Sequence, residues 1–455
     1  VAAPASIADL ADAAPAWGEV LRTLTFRAGF NTSTVVLGTT LLGLAAGIVG
    51  VFALLRKRSL TTDALSHATL PGIALAFLAA SAAGSAGRSL PVLLAGAAVT
   101  GVAGILCIQA LLRLTRLRED AAIGIVLSVF FGAGVVGLSY IQANAPDGAG
   151  GLSSFIYGQT AAMGVRDAAL MGAIALASVL AALLLLKEFA LVCFNDSFAR
   201  VDGWPVSLID ALMMGLVVLV TVAGLQAVGL ILVVAMLIIP PVAARFWTER
   251  LWKLVALAGL IGALSGYLGS VVSALLPRKP AGAVIVLTSG AIFAVGLVAA
   301  PARGVVASAT RRAAFRLRIA GDHLLELGHD RARGGGGRTL PGDEVAALAR
   351  LRAWPRWFRW VVAASLRRRG LLARSGGELR LTDAGLAHGA RVGRNHRLWE
   401  RYLVRHADIA SSHVDWSVDQ VEHVLSDELV AELEAELAAD GVELPPGPGR
   451  NGGAR

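Results

Sequence analysis

RKRSLTTDALSHATLPGIALAFL, residues 56–78, opens on three cations and closes on an apolar run, with Asp63 and His67 between them. A cationic cluster followed by an apolar run is the pattern of a loop held on one side of a bilayer and the spanning helix that leaves it. A carboxylate and an imidazole four residues apart share a face of that helix. Ionisable groups are costly so close to hydrocarbon, and by default they mark a functional site.

The same apolar signal recurs along most of the chain. Hydrophobic residues make up 56% of it and charged residues 16%, against about a quarter charged in soluble domains. Apolar stretches of roughly 18 to 25 residues, enough to cross the hydrocarbon, continue to about residue 301. Beyond it the charged content rises and no spanning run is left. About nine spans are expected, near 33–55, 62–83, 90–112, 121–142, 168–187, 208–222, 228–245, 254–276 and 282–300.

Loop charges set the orientation. Arg56, Lys57, Arg58, Arg113, Arg116, Arg118, Lys187, Arg200, Arg245, Arg250 and Lys253 fall on one side, and Arg22, Arg27, Arg88, Arg166, Arg278 and Lys279 on the other. The richer side is expected to be cytoplasmic, which puts the N-terminus outside and the C-terminal domain inside a bacterial plasma membrane. That bias also explains the net charge of +9 more simply than nucleic acid does. VAAPASIADLADAAPAWGEV, residues 1–20, has no basic stretch before an apolar core and does not read as a signal peptide. Cys107 and Cys193 lack the paired spacing of a disulfide or thiolate site.

Imidazole nitrogen and carboxylate oxygen together suit a borderline divalent cation such as manganese, iron or zinc. Pro71, four residues after His67, has no N–H and leaves the His67 carbonyl without its helical donor. In the alternative reading Thr61 or Thr62 caps the helix, Asp63 is a first-turn carboxylate and His67 a packed histidine. Spacing alone leaves both open. Elsewhere, Pro240 and Pro241 are expected to kink a span or end it early. Glu119 and Asp120 are expected to cap the span near Ala121, and Asp210, Gln109, Gln142 and Gln226 serve helix packing or a pathway equally well. FNDSFARVDGWPV, residues 194–206, is long enough for one short surface helix, as a partner's docking point or a plain connector.

DALSHATLPGIALAF (63–77), REDAAIGIVLSVFFGAGVVGLS (118–139) and GLQAVGLILVVAMLIIPPVAAR (224–245) resemble, in order, the manganese/zinc/iron-type permeases of bacterial ABC importers. The resemblance covers most of residues 30 to 300. It implies a membrane subunit paired with a second permease, itself or a related chain, fed by an extracytoplasmic metal-binding protein and driven by separate ABC ATPase subunits. It implies a metal path through Asp63 and His67, and ATPase contact through the segment holding Asn195, Asp196, Phe198, Ala199, Arg200, Gly203 and Pro205. Thr62 departs from the glycine of many members and touches the helix start, not the ligands. The chain contains no G-x-x-x-x-G-K-[ST] loop, so ATP is expected to act only through a partner.

The C-terminal part raises the second question. His396 and Glu400 stand at i and i+4; Asp419, Glu422 and His423 at i, i+3 and i+4. Five nitrogen and oxygen donors without cysteine again favour manganese or iron over softer metals, with a solvated helix face as the plain alternative. Two helical patterns, residues 340–354 and 355–372, precede a hairpin pattern in ARSGGELRLTDAG, the order of a winged helix. With HRLWER and VEHVLSDE this resembles the DtxR/MntR-type metal-dependent repressors over residues 313–438. The resemblance implies a metal site at His396, Glu400, Asp419, Glu422 and His423, with Asp322 (or its neighbour His323) from the first helix and His413 as a further candidate. Trp354, Trp357 and Trp360 interleaved with Arg356 and Arg359 fit a membrane interface or a protein contact better than a DNA groove, and specific DNA is not an expected partner.

The fold class expected is an all-α polytopic membrane protein with a C-terminal cytoplasmic winged-helix and helical metal-binding/dimerisation domain. Its divisions are a permease domain at 1–305, a linker and first helix at 306–340, the winged-helix region at 341–390, the metal-binding and dimerisation region at 391–440 and a disordered tail at 441–455. The function expected is import of a divalent transition metal, manganese first, iron or zinc otherwise, with a cytoplasmic metal-sensing tail. A membrane-tethered metal-dependent regulator and an ATP-independent secondary transporter are the alternatives.

Overall fold

The computed structural model describes residues 17–27, 29–56, 58–83, 90–144, 163–227, 229–276, 280–375, 378–406 and 427–439. It divides into two compact units at Ala307/Ser308. The first holds α1 (Trp17–Leu24), α2 (Phe30–Leu55), α3 (Ser59–Ala68), α4 (Leu70–Ala82), α5 (Leu90–Leu114), α6 (Glu119–Asn144) and α7 (Val165–Leu184). It continues with α8 (Leu186–Phe194), α9 (Asp196–Val201), α10 (Val206–Ala227), α11 (Leu230–Arg245), α12 (Leu251–Leu275) and α13 (Ala281–Ala299).

Eight helical stretches among the described residues are long and apolar enough to cross a membrane. They are α2, the α3–α4 pair taken as one, α5, α6, α7, α10, α12 and α13. The expected span at 228–245 is instead the 16-residue α11. At about 1.5 Å per residue it is shorter than the roughly 30 Å hydrocarbon layer. Pro240 and Pro241 lie inside it, and the helix still runs on to Arg245. The expected short span at 208–222 extends to Val206–Ala227.

The centre of the unit is α2, packed through small residues. Gly43 and Gly47 stand one turn apart, as do Gly262 and Gly266 on α12. A Cβ on Gly43 would strike the Gly262 carbonyl, one on Gly47 the Ala258 carbonyl, and one on Gly262 the Gly43 carbonyl. This is the close backbone approach that small-xxx-small spacing permits when hydrophobic burial cannot drive association in lipid. Thr39 adds polar glue: its hydroxyl lies 2.6 Å from that of Ser270 and donates to the Gly266 carbonyl at 3.3 Å. On the other side of α2, Phe52 meets Phe189 edge-on at 5.0 Å between ring centroids.

The second unit begins within α14 (Val305–Arg333) and continues with β1 (Thr339–Leu340), α15 (Gly342–Leu351), α16 (Arg356–Arg368), β2 (Leu372–Ser375), β3 (Glu378–Leu381), α17 (Asp383–His406) and α18 (Asp427–Ala439). Its antiparallel sheet has the order β1-β3-β2, with Leu340 opposite Leu379 and Leu372 opposite Leu381. Leu324, Leu325, Val362, Leu366, Leu372 and Leu381 form its core. Two helices followed by a hairpin are the winged-helix order.

The α2–α12 contact makes a direct prediction. Gly262→Val should lower the thermal midpoint of the detergent-solubilised protein, because overpacking costs about 1–3 kcal/mol. Gly124→Val, whose Cβ would meet nothing within 4 Å, should leave the midpoint unchanged.

Candidate functional site

The helix carrying Asp63 and His67 starts earlier than a threonine cap would require. It begins at Ser59, with Arg58 at the N-cap and no side-chain cap. Thr61 and Thr62 are buried inside it, and the Thr62 hydroxyl donates back to the Arg58 carbonyl at 3.3 Å. Asp63 therefore lies beyond the first turn, and the capping alternative loses its structural basis.

His67 Nε2 lies 3.6 Å from Asp63 Oδ1, too far for a good hydrogen bond and close enough for a shared ion. The side chains are 19% and 42% exposed, respectively. His67 Nδ1 is buried without a hydrogen-bond partner among the described residues. Phe131 of α6 meets the imidazole edge-on at 4.9 Å between centroids and so fixes its plane.

Just beyond this pair the helix breaks at Thr69, where α3 ends and α4 begins with Pro71 in its first turn. The Thr69 N–H turns back to the Ser66 carbonyl at 3.3 Å, and its hydroxyl donates to the same oxygen at 2.6 Å. Pro71 supplies no N–H to the His67 carbonyl. Imidazole nitrogen, carboxylate oxygen and the helix break thus fall within two turns. Among the described residues no three or more His, Cys, Asp or Glu side chains gather as a closed metal cage. Imidazole nitrogen and carboxylate oxygen are donors that suit a borderline divalent cation.

A second feature was not legible as a site. Asp210 of α10 is buried and held by two arginines: Arg56 Nε donates to Oδ1 at 3.1 Å, and Arg58 Nη1 donates to Oδ2. Arg56 also donates to the Val192 carbonyl at 3.1 Å and stands 4.0 Å from Asp196 at the start of α9. Arg58 reaches Glu119 at the start of α6 at 3.5 Å. This clamp ties the ends of α2 and α8 and the starts of α3, α6, α9 and α10 together, five residues before Asp63. It borders an open cavity of about 570 Å³ lined in part by Arg113, Arg200 and Trp204. In the sequence the one available signal was an acidic residue within a predicted span, which demands a partner.

Residues 194–206 form a built turn. The Asn195 side chain accepts from the Phe198 N–H at 2.9 Å and caps α9. Ala199 is buried in the main core, whereas Phe194, Phe198 and Val201 are exposed. Asp196 pairs with Arg200 at 3.5 Å. Gly203 takes φ +84, a conformation that L side chains rarely adopt, and Pro205 leads into α10. The result is a short helix anchored by a small residue and presenting an apolar edge. Near it, burial pushes the Cys193 thiol up to about 11, so it stays protonated at neutral pH.

In the second unit, Asp322 is buried and bonds His388 Nε2 at 2.8 Å. Arg391 in turn approaches His388 Nδ1 at 3.3 Å. His388 was not singled out in the sequence; it lies two turns before His396 on α17. His396 and Glu400 are both half-buried on that helix, and His323 is buried beside Asp322. His413, Asp419, Glu422 and His423 lie outside the described residues.

The model of the ABC 3 transport family matches residues 31–300. The model of the iron dependent repressor metal binding and dimerisation domain matches residues 382–439. The manganese transport system membrane protein MntC of Bacillus subtilis (strain 168) is 42% identical over 295 residues, 65% of this chain and 67% of that protein. The zinc transport system membrane protein TroC of Treponema pallidum (strain Nichols) is 44% identical over 283 residues, 62% of this chain and 93% of that one. A probable metal transport system membrane protein of Chlamydia pneumoniae is 29% identical over 402 residues, 85% of this chain and 89% of its own length. Among solved structures, PsaBC from Streptococcus pneumoniae in complex with Fab superposes with a TM-score of 0.54 at 29% identity, over 63% of this chain and 97% of that chain.

The clamp is testable directly. Asp210→Asn leaves two half-buried guanidinium groups without their shared anion; breaking a fully buried pair costs about 3–5 kcal/mol, and partial exposure lowers that here. The expected outcome is a lower thermal midpoint in detergent and less folded protein in the membrane. An unchanged midpoint would mean that Asp196 and Glu119 suffice for the arginines.

Proposed function

The chain belongs to the ABC 3 transport family over residues 31–300, and on that premise we propose that it is the permease subunit of an ATP-driven importer of divalent transition metal, manganese first. The observation that carries the reading is the Asp63–His67 pair, with its buried open imidazole nitrogen beside a helix break. The relatives named for manganese and zinc transport support the metal class. Iron remains within the same ligand chemistry.

The ion meets Asp63 first, the more exposed of the two, then exchanges further water for His67. Two protein ligands hold it long enough to select it and loosely enough to release it, as conduction requires. The carbonyl opposite Pro71 offers a third oxygen on the way past the break.

Separate ATPase subunits dock on the helix at 196–201, through the exposed edge of Phe194, Phe198 and Val201. The Arg56–Asp210–Arg58 clamp then carries the position of that segment to the helix bearing the metal pair. An extracytoplasmic binding protein delivers the ion, and a second permease chain, identical or related, completes the channel. The cations on the loop side of the clamp are the ground for placing that side in the cytoplasm.

The C-terminal unit acts as the metal sensor in this reading. Its domain match supports metal-dependent behaviour, and His396 with Glu400 supplies the two described members of the ligand set, to be completed by Asp419, Glu422 and His423. Asp322 serves as a ligand only if it leaves His388, so its first role is to hold α17 against α14. Metal on this site slows import by favouring one state of the transporter, which demands different affinity in the two states.

Uptake of radioactive manganese tests the path, in cells lacking their own importer and supplied with this chain and its ATPase. Asp63→Ala and His67→Ala should each reduce uptake by about tenfold or more at matched membrane abundance, the loss of a charged ligand interaction. Zinc and iron added as competitors rank the ions. Full uptake in both variants sinks the pathway. For the sensor, wild-type uptake should fall after cells are preloaded with manganese, and His396→Ala should remove that fall. Equal wild-type rates at low and high internal manganese would rule the sensor out.

A further inference from the structure

Between Glu344 and Glu378 the chain has eight arginines and no acidic residue. Helix α16 lies in the middle of that stretch. Val362 and Leu366 bury one of its sides in the core of the second unit, and Trp354 and Phe358 lean on the same core, meeting edge-on at 5.9 Å between ring centroids. On the opposite side Trp357 and Trp360 are 67% and 74% exposed, and Leu351 just before the helix is 80% exposed. Helical spacing puts Arg356, Arg367 and Arg368 on the face of the two indoles.

We propose that this face of α16 docks on anionic phospholipid of the bilayer in which the chain is itself embedded. Indole rings flanked by arginine are the chemistry of a membrane interface: the rings enter the headgroup region and the guanidinium groups pair with phosphate. The run of arginines without a single carboxylate supplies the charge complementarity. The same polypeptide carries the membrane spans, so the surface and its ligand meet at a high effective concentration, and weak adsorption suffices.

A nucleic-acid groove shares the charge but not the rings. A helix reads base edges in a major groove about 12 Å wide with side chains that form paired hydrogen bonds. Trp357 and Trp360 would lead this helix into the groove, each with one N–H donor. In the winged-helix order α16 is the second helix, so the surface by which such a unit would meet DNA is here turned to lipid.

The test is hydrogen–deuterium exchange on the full chain in nanodiscs of pure phosphatidylcholine and in nanodiscs containing phosphatidylglycerol. Residues 351–369 should exchange about threefold or more slowly with the anionic lipid, an advantage that high salt removes. Trp357→Ser with Trp360→Ser, and separately Arg356→Glu with Arg367→Glu, should abolish the difference while the sheet and α17 exchange as in the wild type. These are exposed positions, and unchanged exchange elsewhere shows that the unit is still folded. Equal exchange in the two lipids overturns the proposal. So does protection that appears only with duplex DNA, or only with the ATPase subunits, in place of anionic lipid.

Discussion

Hydrocarbon offers a polypeptide no hydrogen bonds, and the rest of this structure follows from that constraint. Backbone groups must be satisfied within each segment, so every regular element described between residues 30 and 299 is a helix. Apolar burial no longer favours one helix partner over lipid. Association then falls to close backbone contact and scattered polar glue, which is why Gly43, Gly47 and Gly262 occupy the α2–α12 seam and why Thr39 bonds across it. Departures from regular helix become informative under the same rule. The break at Thr69, followed by Pro71, and the short α11 with its two prolines both lack helical N–H donors.

Much of this was legible because membrane signals are local. A spanning run declares itself by length and composition, and the helices at 30–55, 119–144, 251–275 and 281–299 lie within a few residues of their expected positions. The 228–245 segment, read as a full span from its hydropathy, is described as the 16-residue α11, because hydropathy does not register helix length. The threonine cap misled for a related reason. Capping residues predict a helix start only where no earlier turn is stabilised, and the bonds from Arg58 onward set this one at Ser59.

The functional surroundings were far less legible, since their partners are distant in sequence. Asp63 and His67 are neighbours by helical period and can be paired on paper. Asp210 and its arginines are separated by 154 and 152 residues, and no spacing rule connects them. Arg56 and Arg58 looked like ordinary positive-inside loop residues, which a charge count cannot distinguish from members of a buried clamp. His388 escaped for the same reason, since its bond to Asp322 crosses 66 residues.

On the function proposed above, the clamp also bears on how energy from a soluble partner would reach an ion in the membrane. A rearrangement at Asn195–Gly203 cannot be carried through lipid-facing side chains, which slide. It needs a contact that either holds or breaks, and an ion pair built on the buried Asp210 carboxylate is such an element: strained, it loses more than an apolar contact displaced by the same amount. Arg56 stands 4.0 Å from Asp196 in that segment and donates to the Val192 carbonyl just before it; Arg58, two residues on, occupies the N-cap position of the helix of Asp63 and His67. Both close on the same carboxylate. In the function proposed above, a shift of α9 would therefore reach the start of α3 through charge, with few intervening rotatable bonds.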